Sequence, residues 1–377
     1  MRPPNTAPVS DEETPQNGDE RGSGAIARRA GLVAAGTLTS RALGFARDVV
    51  LAAVFPKAAT DLFFVAFTIP NALRVLLGEG AVSSAVVPVF SEVRAEEGEE
   101  AARSYFAKLT WLLGLTLLVV SVLGVLAAPA LVCLYATGNL DDPERFGTTV
   151  ELTRWVFPYL FFIGLAALGM GGLNALRRFA VPAFAPALLN VALIAAAFLL
   201  VGPALALGLP AIGALALGAL VGGALQVLAQ WPAQRRAGLL RVPRVDLKDP
   251  RVRKTLRLLI PLLAGFGVYQ LNTMLGRSFA TFLPTGAQSY IYYGQRLVEI
   301  PQGMFALAIA AAALPTLSDL RARGEDAEVR EVFGYAFRLT LLLAIPSSVA
   351  LAVLAEPIVA VAFGRGEFGR AEVLETA

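Results

Sequence analysis

Histidine is absent from this chain of 377 residues, and cysteine occurs once. Without an imidazole there is no His-based zinc site, no Ser–His or Cys–His nucleophile and no usual proton relay near neutral pH. The single cysteine, Cys133, excludes an intramolecular disulfide, and its apolar setting "ALVCLY" points to plain packing. Charge is scarce too, at 16% of residues, against about 25% in ordinary soluble domains. No G-x-x-x-x-G-K-[ST] loop is present, so ATP is not the direct source of drive.

Apolar residues fill the space left by these absences: they make up 56% of the chain, and mean hydropathy is +0.63. They gather in runs of roughly 20, the length that crosses a ~30 Å hydrocarbon core as helix. The runs do not alternate apolar and polar as barrel strands do. The fold class is therefore an all-α polytopic membrane protein. Nine spans are expected, over 29–55, 60–91, 106–136, 150–174, 181–201, 209–232, 255–283, 287–319 and 331–355. Prolines inside them (Pro70, Pro88, Pro158, Pro186, Pro261, Pro301, Pro346) are expected to kink or open the helices.

Residues 1–24 are polar, acidic and rich in Pro and Gly, which predicts a disordered cytoplasmic tail without the apolar core of a cleavable signal. The first span then acts as the insertion signal. Residues 25–232 are expected to form one lobe of six transmembrane helices, and 233–254 a basic cytoplasmic loop. Residues 255–377 would supply helices 7–9 and a following loop of a second lobe. The stretch "RRAGLLRVPRVDLKDPRVRK" (235–254) holds eight Lys/Arg and marks the cytoplasmic side. "RR" at 28–29 and 177–178 and the loop 320–331 fall on the same side, whereas 137–147 has one arginine and 201–210 none. The N-terminus is thus expected inside. The basic loop could also touch anionic headgroups, with topology marking as its main role.

One internal similarity relates the two lobes. "VVPVFSEVRA" (86–95) and "ALPTLSDLRA" (313–322) share Pro-x-x-Ser-acid followed by Arg-Ala. Each lies downstream of an arginine in an apolar helix, Arg47 or Arg277, at spacings of 41 and 38 residues. Spans 1 and 7 would then be equivalent in parallel repeats, as in many transporters.

The charges inside the spans are Arg41, Arg47, Asp48, Arg74, Glu79, Arg277, Arg296 and Glu299, with Asp61 near a span end. At about 2.5–3.5 kcal/mol each in mid-bilayer, they must face protein or a wet cavity. Ser40 with Arg47, and Arg41 with Asp48, lie seven apart and share a helix face, so Asp48 is expected to hold Arg41. Arg296 and Glu299, three apart, can pair. Asp48, Glu79 and Glu299 are expected to orient the arginines, and Asp61, after Thr60, to act near its own helix start. Guanidinium in excess of carboxylate suits an anion, and a diphosphate above all, through bidentate contacts.

The segments "TSRALGFARDVVLAAVFPKAATDLFFVAFTIPNALRVLLGEGAVSSAVVPVFSE" (39–92), "VPAFAPALLN" (181–190) and "YYGQRLVEIPQGMFALAIAAAALP" (292–315) closely resemble the MurJ (MviN) family. These are the peptidoglycan lipid II flippases of the multidrug/oligosaccharidyl-lipid/polysaccharide exporter superfamily, and the resemblance runs from about residue 30 to the last residue. It implies a multi-pass protein of the bacterial inner membrane with 14 helices in two six-helix lobes plus a groove-forming pair. It also implies a cationic cavity that moves the headgroup of lipid II, an undecaprenyl-diphosphate-linked disaccharide peptide, outward by alternating access. By motif, Ser40, Arg41, Arg47, Asp48, Asp61, Arg74, Glu79 and Arg296 match residues the family relies on. Arg47, Arg74 and Arg296 resemble its diphosphate-binding triad, and Asn174 in "GGLNALRRF" a further cavity position.

Two departures follow from the same resemblance. Val75 stands where many relatives carry a second basic residue, and relatives continue for five more helices past Ala377. The chain is accordingly expected to be a fragment that does not flip lipid by itself. No cofactor or resident metal is expected; coupling to sodium or to membrane potential is the alternative source of drive, with the family's sodium site incomplete here. Expected partners are lipid II, membrane lipids and the cell-wall synthesis machinery, with the protein itself a monomer and with no nucleic acid. The competing readings are a flippase for another polyprenyl-diphosphate oligosaccharide and, from the enzyme class, a polytopic glycosyltransferase. The latter needs loop carboxylates facing a nucleotide-sugar, and the one acidic loop pair, Asp141-Asp142, lies on the expected outer side.

Overall fold

A computed structural model of the chain describes residues 19–78, 81–241, 246 and 249–377, and among them there is helix and no strand. The first lobe comprises α1 (Asp19–Val54), α2 (Lys57–Gly78), α3 (Ala81–Glu96), α4 (Glu99–Leu126), α5 (Ala128–Tyr135), α6 (Pro143–Val156), α7 (Tyr159–Ala175), α8 (Ala180–Phe184), α9 (Ala187–Leu199), α10 (Val201–Ala206) and α11 (Gly213–Arg236). Then come α12 (Pro250–Ala280), α13 (Ala287–Pro301), a π-helical turn Gln302–Ala306, α14 (Leu307–Ala322), α15 (Asp326–Val353), α16 (Ala355–Phe363) and α17 (Arg370–Thr376).

The described residues of the nine expected spans are mostly helical, with residues 79 and 80 of the second span outside the described set. Among the described residues, six are long and apolar enough to cross a membrane, or seven if α12, bent by 41°, counts as one span. The other two are α1 and the α2–α3 pair, which carry Arg41, Arg47, Asp48, Asp61 and Arg74. Helix α1 begins at Asp19, so residues 19–24 are helical where a tail was expected. Once a helix is nucleated by an apolar run, each further residue adds a backbone hydrogen bond, and α1 propagates back into the polar segment. Residues 1–18 lie outside the described set. Proline accounts for several breaks, because it lacks an N–H and clashes with the preceding turn. Pro158 separates α6 from α7, Pro186 separates α8 from α9, and Pro301 precedes the π-helical turn.

The first lobe packs around α7, α9 and α11. Gly218 and Gly222 let α11 approach α9 closely; a Cβ on Gly218 would lie 2.5 Å from the Ala196 methyl. In a bilayer such small residues supply the packing that a hydrophobic drive cannot. On the far side of α7, Val82, Val86, Val89, Phe90 and Val93 of α3 are buried with Tyr105 and Phe106 of α4. By contrast, α14 packs mainly on α15 and the π-helical turn, and α15 has no buried residue.

The two ends of the bundle are tied differently. At the end holding the basic loop, Asp249 caps α12 by accepting from the Arg251 N–H at 3.0 Å. It also accepts from the Arg251 guanidinium at 2.9 and 3.0 Å and from Lys108 of α4 at 2.8 Å. Burial alone raises the Asp249 pKa and is the largest single influence. The hydrogen bonds from Arg251 and Lys108 together outweigh it and hold the carboxyl at about 2. Around this knot, Arg251 meets Glu97, Arg241 meets Glu100 and Lys254 meets Glu92. All of these ties join α12 and its preceding loop to α3, α4 and the α3–α4 turn.

At the opposite end the ties run from α1 and α2 to the later helices. Lys57 pairs with Glu372 of α17 at 3.0 Å, and the Glu367 N–H donates to the Ala53 carbonyl at the end of α1 at 3.0 Å. Arg145, at the start of α6, donates to Thr285 just before α13 at 2.8 Å.

Candidate anion site between α1, α2, α9 and α13

Asp48 organises the site. It is 0% exposed and accepts from Arg47 Nε and Nη2, at 2.9 and 2.6 Å, on the same helix. Its second oxygen accepts from Arg296 Nε of α13 at 2.7 Å. Arg296 in turn donates to Glu299, one turn further along, at 2.6 Å. The Tyr292 hydroxyl accepts from Arg47 at 2.8 Å and donates to Asp48 at 3.1 Å. The Tyr292 ring stacks on Phe64 of α2 at 3.9 Å, with the guanidinium carbons of Arg277 and Arg296 at 5.5 and 5.7 Å from its centroid. A cation over a ring face is attracted by the ring quadrupole, so one tyrosine gathers three arginines. Asn190 of α9 completes the wall: it accepts from Arg47 at 3.0 Å and donates to the Ser40 carbonyl at 3.0 Å.

The pairing of Asp48 differs from the expected one. Seven residues are two turns of helix, about 10.5 Å of rise, too far for a carboxylate to hold Arg41. Arg41 is instead exposed, packed against Gly303 in the π-helical turn, where an added Cβ would collide with its guanidinium. Asp61 also differs. It sits inside α2 and caps another helix, accepting from the Gly286 and Ser289 N–H groups at 2.6 and 2.8 Å and from the Ser289 hydroxyl at 2.7 Å. Gly286, at φ 109°, turns the chain into α13 and aims those N–H groups at it. Arg145 stands 3.9 Å from the same carboxylate.

The remaining expected residues fall as follows. Arg74 is half-buried and donates to Asn71 at 2.9 Å; it and Arg47 both lie within electrostatic reach of buried Tyr159. Arg277 reaches Thr68 of α2 at 3.4 Å. Ser40 joins through its backbone carbonyl rather than its hydroxyl. Asn174 is half-buried in the last turn of α7, and no side-chain hydrogen bond links it to the cluster among the described residues. Glu79 lies outside the described residues. Two members escaped the sequence reading, Tyr292 and Asn190. Tyr292 stands one turn before Arg296, and Asn190 is a lone amide in an apolar run; both were legible as helix-spaced polar groups.

Arg47 and Arg296 thus share one buried carboxylate, whereas no carboxylate pairs with Arg41 or Arg277 among the described residues. Guanidiniums outnumber carboxylates: Arg41 lies against the π-helical turn, and Arg277 lies over the Tyr292 ring beside α2. Such an excess of guanidinium suits an anion with several oxygens.

The family model described as lipid II flippase MurJ matches residues 51–377. The chain belongs to the MurJ family. A MurJ protein of Bdellovibrio bacteriovorus is 38% identical over 93% of this chain and 67% of its own length. The lipid II flippase MurJ of Burkholderia cenocepacia is 38% identical over 88% of the chain and 64% of its own. The chain therefore spans about two thirds of the length of these relatives. A solved lipid II flippase MurJ in an inward closed conformation superposes with a TM-score of 0.76 at 26% identity, covering 92% of this chain and 70% of that one. Membership explains the all-helical membrane fold.

Proposed function

We propose that this chain provides the headgroup-binding part of a lipid II flippase, moving the diphosphate-linked precursor from the inner to the outer leaflet of the bacterial inner membrane. The observation that carries this reading is the shared carboxylate. Asp48 joins Arg47 of the first lobe to Arg296 of α13, so a diphosphate can compete with it for both arginines at once. Arg74, and Arg277 over the Tyr292 ring, add positive charge beside them. The reaction is transfer between leaflets with no bond made or broken, so the protein acts as a transporter and not as an enzyme.

With the basic loop on the cytoplasmic side, the end stitched by Asp61, Lys57 and Arg145 is the outer one. The geometry then corresponds to a state closed to the outside, and alternating access requires those ties to part. The test is headgroup transfer of fluorescent lipid II in proteoliposomes that hold the chain extended to the length of its relatives. Arg47→Ala, Arg74→Ala and Arg296→Ala should each lose transfer while inserting normally. Undiminished transfer in all three would overturn the assignment, and transfer of another polyprenyl-diphosphate sugar in place of lipid II would correct the substrate.

A further inference from the structure

The cytoplasm-side end of α11 carries a feature that the central site does not use. Around this helix, Gln226, Gln230 and Gln234 follow one another at four-residue spacing and are all buried. The opposite stripe holds Val221, Leu225 and Leu228, all exposed, and it runs on to Trp231 and then to Arg235 and Arg236. Trp231 is 50% exposed. Trp231, Pro232, Arg235 and Arg236 line an open cleft of about 520 Å³. Among the described residues neither guanidinium has a hydrogen bond or ion pair, and the indole N–H has no acceptor. Their basic neighbours are committed: Arg241 to Glu100, Arg251 to Asp249 and Glu97, Lys254 to Glu92.

We propose that this cleft binds the phosphate of an anionic glycerophospholipid of the cytoplasmic leaflet. The apolar stripe lies along the acyl chains, and the amphipathic indole sits at the level of the ester groups. Two unpaired guanidiniums meet the phosphate at the C-terminal end of the helix, where basic groups also suit the dipole. A phospholipid is favoured over a soluble anion because the cleft continues a lipid-facing apolar stripe.

The test reads Trp231 fluorescence in nanodiscs, in a W111F/W155F background that leaves it as the sole tryptophan. Brominated phosphatidylglycerol at low mole fraction should quench it more than brominated phosphatidylcholine does, with an enrichment of roughly five-fold per arginine. R235Q/R236Q should abolish that preference. If the double-Phe background fails to elute as a single species, the same signal is taken as the difference between the unmodified chain and W231F. Equal quenching by the two lipids, or a preference that survives R235Q/R236Q, would overturn the proposal. Relief of quenching by inorganic phosphate at fixed ionic strength would assign the cleft to a soluble anion and overturn it equally.

Discussion

The knot around Asp48 and the knot around Asp249 are made of the same parts, an aspartate held by two basic side chains, yet they stand in different surroundings. Asp48 lies fully buried among apolar helices, with the Tyr292 hydroxyl as a further donor to it. Asp249 is buried too, at 2% exposure, but it sits at a helix start where it caps an N–H, and its partner Arg251 reaches on to the exposed Glu97. Losing Asp48 leaves buried Arg47 with no carboxylate, whereas losing Asp249 leaves Arg251 paired with exposed Glu97, where water and salt screen the charge. The first arrangement therefore sets which lobe positions are tolerated, and the second mainly fixes a loop.

Breaking this contrast gives a ranked set of outcomes. Asp48→Asn should have the largest effect, about 3–5 kcal/mol of destabilisation, because buried Arg47 loses its carboxylate and half-buried Arg296 keeps only Glu299. Thermal unfolding in detergent measures it, and a loss no larger than that of a rim substitution would remove the distinction. Asp61→Ala comes next, at about 1–3 kcal/mol, since the Gly286 and Ser289 N–H groups lose their acceptor. Protease access to the 281–290 turn should rise with it. Third, the Asp249 knot should respond to acid. Its folded pKa of about 2 lies below the ordinary 3.8, so its contribution is complete above that ordinary value and fades as pH falls toward 2. An Asp249→Asn variant should lose that part of the acid dependence. Smallest, Lys254→Gln should change stability by less than about 1 kcal/mol and should be masked by salt, because its partner Glu92 is exposed.

Helix content and the seats of the charges were legible because period and composition act locally. The apolar runs became helices, six or seven of them long and apolar enough to span among the described residues, and Pro158, Pro186 and Pro301 stand at breaks. Partnership was not legible, because it depends on which helices meet. The phase argument placed Arg41 and Asp48 on one face correctly, but a shared face two turns apart is no contact, and Arg296 arrived from 248 positions away. Asp61 was read against its own helix for the same reason. The two Pro-x-x-Ser segments make the limit plain. Both are helical, but the copy in α3 packs against α4, α7 and α12, whereas the copy in α14 packs chiefly on α15 and the π-helical turn. Equal sequence patterns yielded equal backbones and unequal neighbourhoods.

The Asp61 cap carries a consequence for how this end of the molecule comes apart. A helix start normally keeps its own capping group, so moving the helix as a body changes nothing at its tip. Here the cap belongs to α2 and the helix is α13, so separating them strips two backbone N–H groups at once. A bare helix start draws negative charge to itself. The act of opening would therefore create, on the side that opens, a new attraction for whatever anion has been carried there, and its departure would be what lets Asp61 return.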